Sequence, residues 1–105
     1  MKRNWFFILL SLASEERHGS AIMRDVLELT GGDLRLWPAT LYGSLDELAA
    51  KGWIEEVSSE SERPDDSERL RFYRLTVSGR RELRAETKRL ESLAAAARMR
   101  LARDA

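Results

Sequence analysis

LWPATLYGSLDELAAKGWIEEV, residues 36–57, decides the fold of this chain. Pro38 suits a first helical turn, where its missing N–H is no loss. Leu41, Leu45 and Leu48 then recur at i, i+4 and i+7, the stripe of one helix face. Gly52 is the stop, because glycine accepts the left-handed conformation after a helix. A helix is therefore predicted from Pro38 to near Lys51-Gly52. Directly after it the pattern changes, and Trp53 to Val57 reads as a strand.

Upstream, Ile22, Val26 and Leu29 predict a helix over about Gly19–Leu29, closed by Thr30-Gly31-Gly32. Asp33-Leu34-Arg35-Leu36 alternates and reads as a very short strand. A first helix is expected over about Asn4–Ala13, apolar on more than one face, with Ser14 to Arg17 as a polar break. Downstream, Ser58 to Glu68 is a polar, acidic loop, and Leu70 to Leu75 reads as the return strand of a hairpin. A last helix starts after Thr76 or Ser78, either of which can cap it, and runs to about Arg103.

The expected class is mainly α with a small β-hairpin: a winged helix-turn-helix plus a long C-terminal helix. Residues 1–76 form the expected DNA-binding domain and 77–105 the expected dimerisation helix. About 25 helical residues span roughly 37 Å, more than the width of so small a domain. The overhang keeps an apolar seam through Leu83, Leu90, Ala97 and Met99 or Leu101, with Leu93 and Ala94 filling it. A second copy of the chain is the simplest cover.

Composition limits what such a fold can do. The 105 residues allow one domain with a modest core. Trp5 to Ala13 follows Lys2-Arg3 as a signal peptide would, but Glu15, Glu16 and Arg17 come next with no small-residue cleavage pattern. No apolar run approaches a membrane span. The absence of cysteine excludes disulfides and thiolate metal sites and favours a cytoplasmic address. Net charge is zero, yet residues 1–68 hold 7 Lys/Arg against 14 Asp/Glu, while residues 69–105 hold 11 against 4. The basic segment is open to phosphate or is simply a solvated helix face.

His18-Gly19, Pro38-Ala39-Thr40-Leu41-Tyr42, Gly52-Trp53-Ile54 and Tyr73-Arg74-Leu75-Thr76 with Gly79 resemble the PadR family of bacterial transcriptional regulators. The likeness covers roughly residues 6–90 and is nearest the branch with a short C-terminal region. It implies a homodimeric winged-helix repressor, not an enzyme. The third helix would read operator DNA, and the last helix would dimerise with help from the first. A small-molecule effector remains an open partner class.

The expected DNA contacts are Pro38, Ala39, Thr40, Tyr42, Gly43 and Ser44 on the reading helix, and Arg69, Arg71 and Tyr73 on one face of the return strand. Thr40 and Ser44 sit one turn apart, off the leucine stripe, and offer hydrogen bonds to phosphate or base edges. Gly43 costs roughly 1 kcal/mol of helix propensity, which either close approach of DNA or tight helix packing would explain. Arg71 has the alternative of pairing with Glu55 and Glu56. The expected dimer contacts are Trp5, Leu9, Leu83, Leu90, Leu93, Ala97 and Leu101. The single His18 argues against a metal or a Ser-His-Asp set and suits a cap on the second helix; no cofactor is expected. Trp5, Trp37 and Trp53 read as core or interface residues. The competing function is a protein–protein module without specific DNA binding, since Asp46 and Glu47 on the third helix face only Lys51 and the wing tip, Glu60 to Glu68, is acidic.

Overall fold

The computed structural model describes residues 1–57 and 71–103. Its elements in chain order are α1 (Arg3–Ser14), β1 (Arg17–His18), α2 (Gly19–Leu29), α3 (Pro38–Ala50), β2 (Ile54–Val57), β3 (Phe72–Leu75) and α4 (Val77–Ala102). The class is mainly α with a small antiparallel sheet, as expected. Leu70, Arg69 and the acidic stretch from Ser58 to Glu68 lie outside the described residues.

The core gathers the predicted stripes. Ile8, Leu9 and Leu12 of α1 meet Ile22 and Val26 of α2, Leu41, Leu45 and Leu48 of α3, and Ile54 of β2. Leu36 and Tyr73 complete it. Helix α2 has the predicted limits, and His18 caps it: Nδ1 accepts the Ala21 N–H at 3.3 Å. Gly52 has φ 77° and turns α3 into β2, as its place after the leucine stripe implies.

Two expectations are corrected. Asp33–Leu36 forms no strand. The Thr30 hydroxyl accepts the Leu34 N–H at 2.9 Å and donates to the Val26 carbonyl at 2.9 Å, which ties the segment to the end of α2. Leu34 and Leu36 turn toward the core, so a loop produces the same alternation as a strand. The third strand is β1 instead, which starts on Arg17, the last residue of the expected polar break. It pairs Arg17 with Tyr73 and His18 with Phe72. The order β1-β3-β2 makes β3 the central strand rather than one arm of an isolated hairpin.

Helix α4 is joined to the sheet by a dense turn. The Thr76 hydroxyl accepts the Gly79 N–H at 3.0 Å and donates to the Gly52 carbonyl at 2.6 Å, while the Thr76 N–H donates to the Trp53 carbonyl at 3.1 Å. Of the two expected caps, Thr76 is the one used. Leu83 packs into the core, and from Thr87 to Ala102 every residue is exposed. No helix is long and apolar enough to cross a membrane, among the described residues.

Candidate nucleic-acid interface

Helix α3 buries Leu41, Ser44, Leu45 and Leu48 and turns Pro38, Ala39, Thr40, Gly43, Asp46 and Glu47 outward. Pro38 stands at its first turn, and no acidic residue lies there, so the positive end of the helix is uncompensated. The outward face forms one wall of an open cleft of about 410 Å3. Ala39, Thr40, Gly43, Ser44 and Glu47 line that wall, and Lys2 to Trp5 at the start of α1 line the other.

Gly43 was open to two explanations, and the structure removes one. A Cβ built there would meet nothing within 4 Å. Tight packing inside the protein therefore does not account for the glycine. The fold bears its propensity cost of roughly 1 kcal/mol without using the space.

Tyr42 leaves α3 on another side. Its ring and hydroxyl lie against the backbone of Gly19, with the ring carbon bearing the hydroxyl 2.9 Å from where a Gly19 Cβ would be. The half-exposed phenol thus sits at the first turn of α2. Gly19 of the His-Gly pair and Tyr42 of the reading helix are one contact, although 23 positions separate them in sequence.

The acidic pair on α3 is less unopposed than the sequence implied. Glu47 accepts from Lys2 Nζ at 3.0 Å and from the Trp5 indole N–H at 3.3 Å. The Lys2 hydrogen bond lowers the Glu47 carboxyl from its ordinary pKa, and the ammonium partly offsets its charge. Lys51 Nζ lies 5.3 Å from the rings of both Trp5 and Trp53, which meet edge to face. Asp46 remains as an exposed acid on the helix.

Two expected contacts are largely buried, Ser44 showing only its edge to the cleft. Ser44 is only 7% exposed. Tyr73 is 4% exposed, because its side chain packs into the hydrophobic core, and burial raises its phenol pKa. Strict alternation placed Arg71 and Tyr73 on one face, but β3 begins at Phe72, so the rule does not reach Arg71. Arg71 is exposed and points both Nε and Nη2 at Glu56, at 3.1 and 2.8 Å. The alternative pairing with Glu56 is thus the arrangement found, and Arg74 pairs with Glu55 at 2.7 Å. Arg69 lies outside the described residues.

The expected dimer residues divide in the same way. Trp5, Leu9 and Leu83 are core residues of the single chain, since α1 is covered by α2, α3 and α4. On α1 the partly exposed apolar residues are Phe6, Phe7, Leu10 and Ala13. Leu90, Leu93, Ala97 and Leu101 are exposed on α4. The residue that sequence reasoning missed is Trp37. It is 63% exposed at the start of α3, and only the neighbouring Pro38 hinted at an outward, extended backbone there.

Among the described residues no group of His, Cys, Asp or Glu could hold a metal ion. The profile of the transcriptional regulator PadR-like family matches residues 8–85. No curated protein matches the chain. Among solved structures, a PadR family transcription regulator from Clostridium difficile is 21% identical with a TM-score of 0.78, covering 92% of this chain and 96% of that one. Bacillus subtilis PadR, solved in complex with operator DNA, is 23% identical with a TM-score of 0.71. That match covers 82% of this chain and 47% of the Bacillus protein. RosR of H. salinarum is 25% identical with a TM-score of 0.65, covering 94% of each chain. The fold is common to all three.

Proposed function

The chain belongs to the PadR-like family of transcriptional regulators, and from that premise we propose that it binds operator DNA as a homodimer and represses transcription. Members of the family are regulators, not enzymes. In this reading residues 1–76 are the DNA-binding part and residues 77–105 the dimerisation helix, and the protein works in the cytoplasm. Two copies of α3 enter successive major grooves of a roughly palindromic site.

The single observation that carries the reading is the outward face of α3. Ala39, Thr40 and Gly43 are exposed, Gly43 has open space where a Cβ would be, and the helix bears the cost of that glycine. A surface kept bare at the expense of helix stability suits a large body approaching from outside. Backbone amides at the α3 N-terminus suit phosphate without any side chain. Lys2 removes much of the repulsion that Glu47 would otherwise offer. Bacillus subtilis PadR was solved with operator DNA, and that supports the choice of ligand. The protein–protein alternative rested on Asp46, Glu47 and the acidic wing tip; pairing of Glu47 with Lys2 weakens the first part of that case, while Asp46 stays exposed.

The test is selection of a binding site from randomised duplex DNA, followed by gel shifts across a salt series. A repressor of this kind selects an inverted repeat, and log K falls linearly with log salt. Failure of the folded chain to enrich any sequence at low salt overturns the reading.

Three variants refine it. Thr40→Ala relaxes preference at one base position, by about 1–3 kcal/mol of discrimination. Arg71→Ala weakens binding to all sequences alike and lowers the salt slope by about 1, once phosphate has displaced Glu56 from the guanidinium. Gly43→Ala separates fold from function by sign. It raises stability by about 0.4–1 kcal/mol in thermal melts, because the new methyl meets nothing and the unfolded chain loses freedom. The same methyl stands between α3 and DNA and lowers operator affinity. A variant that is both more stable and equally tight shows that DNA does not approach Gly43.

A further inference from the structure

Trp37 is the largest side chain type in the protein, yet it is 63% exposed. Its backbone is extended, with φ −79° and ψ 153°, as expected for a residue before proline. Extended backbone sends neighbouring side chains to opposite sides. Leu36 drops into the core, and Trp37 is therefore turned out at the mouth of α3. The other two tryptophans are packed against each other. Arg35 stacks on the outward indole, its guanidinium carbon 5.4 Å from the ring centroid. Among the described residues Arg35 makes no ion pair, and the first turn of α3 carries no acid. An apolar plate thus stands beside a cation that has no ion-pair partner among the described residues, and beside a positive helix end.

We propose that Trp37 and Arg35 dock as a stacked pair on the sugar–phosphate edge of DNA, the indole against a deoxyribose and the guanidinium against the adjoining phosphate. The inference rests on the reading of α3 as the groove-entering helix. Complementarity selects the occupant. The DNA backbone presents apolar sugar beside anionic phosphate, and this pair presents apolar indole beside guanidinium. Trp37 is the N-cap of α3, the helix whose outward face carries Ala39, Thr40 and Gly43. The apolar seam that suits a second copy lies elsewhere, on α4, which packs on α1 and β3. Contacts to sugar and phosphate position a protein without reading sequence. Trp37 therefore adds affinity on every duplex, unlike Thr40.

The experiment uses the full chain, a duplex selected from a random library, and an unrelated duplex of equal length. Trp37→Ala lowers affinity for both by about tenfold, the scale of one lost aromatic contact. Arg35→Ala lowers both and reduces the salt slope by about 1. Exposed Trp37 supplies the long-wavelength part of the tryptophan emission, and Trp37→Phe removes it. Either duplex shields this emission from acrylamide in the wild type and changes nothing in Trp37→Phe. Melting temperatures of all variants stay at the wild-type value, because the side chains are exposed. Binding by Trp37→Ala within twofold of wild type, with acrylamide access unchanged by DNA, overturns the proposal while the α3 reading stands. An affinity loss confined to the selected duplex makes Trp37 a base reader and overturns the backbone assignment. Shielding that follows protein concentration without DNA makes a second copy the occupant and overturns it as well. Failure of the wild type to bind any duplex removes both readings.

Discussion

Leu93→Asp combined with Leu101→Asp yields a folded chain that sediments as a monomer and binds operator at least about a hundredfold more weakly than the wild type. Leu83, Leu90, Leu93, Ala94, Ala97 and Leu101 follow one side of α4 at intervals of three, four and seven residues. The stripe begins inside the domain, where Leu83 is buried. It continues into solvent, where Leu93 is 53% and Leu101 67% exposed. Met99 is exposed too but lies about half a turn away from the stripe, so Leu101 is the seam residue of the two. An apolar face that first packs on its own domain and then runs on uncovered suits a second copy of the same helix. Two carboxylates placed there must be desolvated on association, and no partner charge on the seam compensates them. The folded single chain loses nothing, since neither leucine touches its core. Near-wild-type far-ultraviolet circular dichroism with monomeric sedimentation is therefore expected. The loss on DNA follows from valency, because joining two reading helices makes the second contact intramolecular. Lys88→Ala, on the opposite side of α4, leaves the assembly unchanged. A double variant that remains dimeric removes α4 as the dimer element.

How far the sequence carried depended on the range of the interactions involved. Helices α2 and α3 were legible to within a residue or two. Their apolar stripes, the proline at the start of α3 and the glycines at both ends act locally. Strand β1 was not legible. Its two residues, Arg17 and His18, are extended because β3 lies beside them, and β3 is more than fifty positions away. The same unseen strand made β3 central, and separately the side chain of Tyr73 turns into the core rather than onto an exposed face. Asp33–Leu36 failed for the opposite reason. Leu34 and Leu36 alternate because a tied loop lowers both into the core, and periodicity cannot separate that from a strand. At the candidate site, Thr40 and Gly43 were found from their place off the leucine stripe. The role of Glu47 was not, because its partners Lys2 and Trp5 come from the other end of the domain. Trp37 was masked by composition, since tryptophan is ordinarily an inward residue.

Gly79→Ala has the opposite effect to Gly43→Ala, although both replace a helical glycine by the better helix former. At Gly79 an added Cβ would collide with the carbonyl group of Trp53 and would also lie 3.2 Å from a methyl of Leu75. The obstacle is backbone, so no rotamer change relieves it. That carbonyl is itself fixed, since it accepts the Thr76 N–H at 3.1 Å. The Thr76 hydroxyl meanwhile bonds both the Gly52 carbonyl and the Gly79 N–H. Four backbone groups from the end of α3, the start of β2 and the start of α4 are thus joined in one knot. Room for the methyl must come from moving α4 away from the sheet. Forcing one extra carbon into such a site costs about 1–3 kcal/mol, against a total of roughly 5–15 kcal/mol for a domain of this kind. The gain in helix propensity, about 1 kcal/mol, offsets only part of it. Urea melts at fixed protein concentration should place Gly79→Ala below the wild type and Gly43→Ala above it. An equal or higher midpoint for Gly79→Ala would show that the α4 junction yields easily. The difference matters beyond stability. Gly79 sets the angle at which α4 leaves the winged domain, and α4 carries the seam proposed to join two copies. A shifted junction therefore re-aims one reading helix relative to the other. Residual operator binding by Gly79→Ala should fall by more than its loss of stability explains, and most steeply on sites whose half-site spacing matches the wild type.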